Sequence, residues 1–102
     1  MFVIVTSTYP PHKAPEVTPI GQKMIETPLP PFVKRLHLFA RPDLECGVKV
    51  YSILEVEAGK EDEGLRAIYA SANQYAGIEG YRYRLDIVAD QLAAAAQAAE
   101  TG

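Results

Sequence analysis

The sequence predicts an α+β domain whose elements run strand, helix, strand, strand, helix, strand, with a further helix at the end. Three observations carry the prediction. Residues 2–9, 32–40, 47–57 and 81–89 alternate apolar and polar side chains with the period of two that a half-buried strand imposes. Two other stretches repeat apolar residues at helical spacing. Finally, Arg41 to Cys46 (RPDLEC) carries the Pro-Asp turn chemistry that joins the second and third strands as a hairpin.

The first strand sets Phe2, Ile4, Thr6 and Thr8 against Val3, Val5, Ser7 and Tyr9, and Pro10-Pro11 stops it. Both faces begin apolar, which predicts a central strand covered on two sides. Val17, Ile20, Met24 and Ile25 then fall at helical spacing behind Pro15, a residue suited to a first turn, and predict a helix over Pro15 to Glu26. Pro19 near its start and Gly21 in its middle weaken it. The proline-rich TPLPP, Thr27 to Pro31, ends the helix as a stiff connection; a polyproline docking ligand is its alternative use.

Phe32 to Ala40 places Leu36 and Leu38 on one parity and Val33, Arg35, His37 and Phe39 on the other. In Gly47 to Glu57, GVKVYSILEVE, one face holds Val48, Val50, Leu54 and Val56, broken only by Ser52. The opposite face holds Lys49, Tyr51, Ile53, Glu55 and Glu57. A hairpin centred near Leu44 would set His37 opposite Tyr51 and Arg35 opposite Ile53. Glu61, Asp62 and Glu63 place negative charge at the positive end of a second helix, whose stripe Leu65, Ile68, Tyr69, Ala72 and Ala76 runs to a stop at Gly77. The fourth strand alternates Tyr81, Tyr83, Leu85 and Ile87 with Arg82, Arg84, Asp86 and Val88. Asp90 suits the cap of an alanine-rich helix, Gln91 to about Glu100, in a tail spanning about residues 90–102 that buries little.

At 102 residues the chain fits a single domain, 1–102, with one two-layer core. A net charge of −3 gives no basic surface for a nucleic acid. The lone Cys46 excludes a disulfide framework within the chain and makes a reducing cytoplasm the expected location. The opening MFVIVTSTY is too short for a membrane span and lacks a basic leader, so no membrane partner is expected. Metal-ligand spacing, a phosphate-binding glycine loop and a nucleophile elbow are all missing, so no metal or cofactor is expected.

The element order with its tight central hairpin is the split βαβ pattern of the ferredoxin-like fold, βαββαβ. Right-handed crossovers would order the four-stranded antiparallel sheet 4-1-3-2 and put both helices on one face. Even positions of strands two and three and odd positions of strands one and four would meet the helices. The open face would then carry Phe2, Ile4, Thr6, Arg35, His37, Phe39, Tyr51, Ile53, Glu55, Arg82, Arg84 and Asp86, exposing a patch around Phe2, Ile4, Ile53, Tyr51 and Phe39 that soluble monomers seldom leave to water.

A unit of this length, with an amphipathic open sheet face, a proline-rich segment before FVKRLHLFARPD and a helix EGLRAIYASANQYAG, resembles the dimeric α+β barrel superfamily. That resemblance implies a homodimer with two open sheet faces packed together and small clefts between sheet and helices. Its members include cofactor-free oxygenases, haem-handling proteins, isomerases and sensor domains, so it implies a scaffold rather than a reaction. RNA-recognition motifs share the topology, but GVKVYSIL lacks the paired aromatics that stack bases.

The function expected is therefore binding of a small organic ligand in a cleft beside strands two and three. One alternative is a small cofactor-free oxygenase or isomerase, and another is a purely structural or protein-interaction module. In the enzyme reading His37 transfers protons, with Tyr51 and Arg35 orienting the substrate and Glu55 nearby. The competing use of His37 and Arg35 is polar contact across a dimer interface. Arg82 and Arg84 share a face and could clamp an anionic group of a ligand, although Asp86, Glu55 and Glu57 offer them internal partners.

Overall fold

A computed structural model describes residues 1–101. The elements are β1 (Phe2–Tyr9), α1 (Ala14–Glu26), β2 (Val33–Asp43), β3 (Gly47–Val56), α2 (Glu61–Asn73), β4 (Arg82–Val88) and α3 (Gln91–Thr101), with a short 3₁₀ turn, Pro11–Lys13, ahead of α1. The four strands form one antiparallel sheet in the order β2-β3-β1-β4, or 4-1-3-2 read from the opposite edge.

In β1, Val3 pairs with Leu54, and Val5 with Ser52, so odd positions of β1 share a face with even positions of β3. Residues of both α1 and α2 stand over this face. It supplies most of a core in which Val3, Leu54 and Val56 are almost wholly sequestered.

The hairpin departs from the expected register. It turns about Glu45 rather than Leu44, because the Asp43 carboxylate accepts the N–H groups of Glu45 (2.9 Å) and Cys46 (3.0 Å) and closes a tight turn. Gly47 completes the turn at φ +92, a left-handed conformation that strains other residues. β2 also runs three residues past Ala40, through Pro42. An edge strand tolerates proline where the missing N–H would face away from the ladder.

A bulge interrupts β2. Arg35 pairs with Leu54 and His37 with Ile53, leaving Leu36 as the extra residue. Beyond the bulge, Leu38 and Ala40 face the helices as their parity requires. Before it the parity is reversed, and Val33 and Arg35 face the helices instead. The expected positions of Arg35 on the open face, of Arg35 opposite Ile53 and of His37 opposite Tyr51 are thereby corrected; Phe39 is the residue opposite Tyr51.

The second helix ends at Asn73 rather than at Gly77. Its hydrogen bonding tightens into turns, Tyr75 N–H to the Ala72 carbonyl (3.2 Å) and Ile78 N–H to the Tyr75 carbonyl (3.0 Å), which swing Tyr75 and Ile78 into the core. Ala76 is exposed and Tyr69 is 44% exposed, so neither belongs to the buried stripe expected of them.

The buried residues form two groups. One joins Val3, Val5, Val33, Leu54, Val56 and Ile68. The other joins Val17, Tyr75 and Ile78, with Tyr9, Ile20, Met24 and Tyr81 packed against it. The C-terminal helix adds to neither. Asp90 caps it by accepting the Ala93 N–H (3.0 Å), but residues 91–99 are exposed and Leu92 is 85% exposed. The radius of gyration is 15.6 Å, where a compact chain of this length would give about 13 Å.

Candidate ligand cavity

Between the two core groups lies a cavity of about 420 Å³, within the size range of small-molecule sites. Its origin is a coincidence of small side chains. Ser7 from β1, Ala40 from β2, Ser52 from β3, Gly21 from α1 and Ala72 from α2 all line it, and none reaches far enough to meet the opposite wall. Left dry and sealed, a void this large would cost roughly 10 kcal/mol at about 24 cal/mol per Å³, comparable to the whole stability of a small domain. The hollow is not sealed. Ile25 and Leu38 line it while remaining 62% and 46% exposed, so it opens between α1 and the edge strand β2.

One end of the cavity is walled by aromatic rings. Tyr81 stacks on Tyr75 with centroids 4.5 Å apart and planes at 4°, and on Tyr9 at 6.2 Å and 11°. Burial pushes the Tyr81 phenol up to about 12, against an interaction with the Ser7 hydroxyl that works the other way. Burial also raises the Tyr75 phenol, and the nearby Arg35 guanidinium opposes that rise. Gly21 leaves room for this hydroxyl: a Cβ there would sit 3.3 Å from the Tyr75 Oη.

Arg35 is the one charged residue lining the cavity among the described residues. Its Nε donates to Ser52 Oγ over a long 3.4 Å. Among the described residues no carboxylate lies within ion-pairing distance of it.

The other residues singled out in the sequence lie on the open face. His37 stacks on Phe39 with centroids 5.2 Å apart. Tyr51 accepts a hydrogen bond from Arg41 Nε (3.4 Å), with the Lys49 ammonium 6.0 Å from its ring centroid. Glu55 pairs with Phe2 on one side and Lys34 on the other. Arg82 sits opposite Thr8 and Arg84 opposite Thr6, and Arg84 forms an exposed ion pair with Asp86 at 3.0 Å. The structure thus separates Arg35 from His37, Tyr51, Glu55, Arg82 and Arg84 by the thickness of the sheet.

Sequence reasoning missed Tyr75, which the early end of α2 brings inward. It noticed Ser52 as the break in a core face without drawing the consequence that a small polar residue leaves space. Among the described residues, no three His, Cys, Asp or Glu side chains cluster as metal ligands would, and no helix is long and apolar enough to cross a membrane.

No family model matches the chain, and no curated protein does. Among solved structures, the uncharacterized protein TM1266 from Thermotoga maritima superposes with a TM-score of 0.55, over 83% of this chain and 92% of that one, at 18% sequence identity. Identity that low supports a shared small α+β fold and carries nothing about chemistry.

Proposed function

We propose that this chain is a ferredoxin-like subunit that binds a small organic molecule in the cavity between its sheet and helices, and that two copies pair through their open sheet faces. The observation that carries the binding reading is the cavity itself, which divides the core in two and opens to solvent between apolar lips, Ile25 and Leu38. Packing such a hollow with larger side chains would stabilise the monomer, so keeping it open has a use.

The strand order 4-1-3-2 and the stationing of α1 and α2 over one face support the ferredoxin-like reading. The open face supports pairing. Phe39 is 53% exposed and Val88 38% exposed, next to half-buried Phe2, Ile4, Tyr51 and Ile53, with Arg41, Lys49, Arg82 and Arg84 around them. An apolar centre with a charged rim is the usual anatomy of a protein interface.

Calorimetric titration with naphthamide, a neutral bicyclic probe, tests the binding reading. Saturable binding at one molecule per chain is expected, and Ala72→Phe, which projects a ring into the hollow, abolishes it while the protein stays folded by circular dichroism. Absence of saturable binding both of naphthamide and of its charged counterparts of the same shape, naphthoate and naphthyl phosphate, or binding indifferent to Ala72→Phe, overturns the reading.

A further inference from the structure

Arg35 sits uneasily with its surroundings. Its strand neighbours on the same face are Val33, Leu38 and Ala40, and across the ladder it meets Leu54. The bulge at Leu36 turns this guanidinium away from the open face, where Asp86 and Glu55 lie, and toward apolar walls. Arg35 is half-buried, so its guanidinium keeps part of its hydration, but among the described residues the walls beside it offer no opposite charge to pair with. What meets Arg35 is one neutral hydroxyl, Ser52 Oγ, bonded through Nε alone. The two terminal amino groups make no hydrogen bond to the described residues. These are the prongs that match the two oxygens of a carboxylate. Tyr75, whose phenol feels the Arg35 charge and lines the same cavity, supplies a further donor.

We infer that the molecule bound in this cavity is an organic monocarboxylate with an apolar body, its carboxylate gripped by Arg35 and its body lying among Leu38, Val50, Ile68 and the tyrosine stack. The inference rests on the cavity-binding reading above and adds the chemical class of the ligand. A single guanidinium balances one negative charge. A phosphate monoester would bring close to two into the same apolar space and leave the excess unpaired, so the lining favours a carboxylate over a phosphate.

Three probes of one shape decide it: naphthoate, naphthamide and naphthyl phosphate, titrated calorimetrically into the wild-type protein and into Arg35→Met. Wild type binds naphthoate about tenfold or more tighter than naphthamide, as expected for charge-assisted hydrogen bonds, and tighter than naphthyl phosphate. In Arg35→Met the naphthoate preference collapses to within about threefold, the range of non-specific differences. If Arg35→Met does not fold, Arg35→Lys, which keeps the charge without the fork, shows a reduced preference instead. Equal binding of naphthoate and naphthamide to wild type overturns the inference and leaves the cavity reading standing. Tighter binding of naphthyl phosphate overturns the assignment to a carboxylate. Failure of all three to bind removes the cavity reading and the inference with it.

Discussion

Gly64 sets how closely α2 lies on the sheet, and its replacement by alanine gives a sharp test of that packing. A Cβ at this position would sit 2.4 Å from Val56 Cγ1 and 3.0 Å from Cγ2, where carbon atoms settle at about 3.5 to 4.0 Å. Val56 cannot retreat. It is 1% exposed, its N–H donates to the Met1 carbonyl (2.7 Å), and its carbonyl accepts from the N-terminal ammonium (2.9 Å). The helix must move instead, by about 1 Å at its first turn, and Ile68 one turn on must repack. Alanine gains roughly 1 kcal/mol of helix propensity over glycine, less in a first turn. Overpacking of a tight core costs about 1–3 kcal/mol or more, and a clash this deep belongs at the upper end. The net expectation is a loss of about 1–2 kcal/mol, read as a fall of roughly 5–10 °C in the melting temperature by calorimetry. Val56→Ala in the same background removes the obstructing methyls, so the double variant is more stable than the sum of the two single losses by about 1 kcal/mol or more. A melting temperature unchanged or raised by Gly64→Ala, or strict additivity with Val56→Ala, would refute this account of the packing.

Other outcomes follow from the two faces of the sheet. Phe39→Asp places a charge on the open face beside Tyr51 and should give monomers by light scattering at micromolar concentration, where the proposed pairing predicts wild-type dimers; a wild-type monomer would remove the pairing proposal. His37→Ala, on the face away from the cavity, leaves naphthamide affinity unchanged, and a marked loss would mean that the cavity is not the binding site. Tyr81 makes stability fall at high pH. Its folded pKa of about 12 lies above the ordinary value of about 10, so its contribution is complete below about pH 10 and is lost as pH rises toward 12. Tyr81→Phe should flatten that limb of the melting curve, and an equally steep decline in the variant would locate the effect elsewhere.

Much of the fold was legible because it rests on local patterns. The β-branched alternation of Phe2–Tyr9, the helix spacing behind Pro15 and the acidic first turn at Glu61 each state their element without help from the rest of the chain. The site was less legible because it depends on register. Period two assigns faces only while the count is unbroken, and one extra residue at Leu36 reverses the assignment of everything before it. Arg35 was therefore assigned to the wrong face. Tyr75 was obscured differently, since a helix that tightens and stops at Asn73 leaves no mark in residue spacing when Gly77 offers a plausible end four residues later. A cavity is harder still to read, being made of what Ser7, Ser52, Gly21, Ala40 and Ala72 fail to fill.

The bulge at Leu36 also governs how this scaffold tolerates changes in length. Losing a residue inside an ordinary strand turns one half of it inside out. Losing Leu36 would instead close the bulge into regular pairing, with Val33 and Arg35 still beneath the helices and His37 and Phe39 still on the far side. At this one place the sheet can shed a residue while the arginine keeps its station.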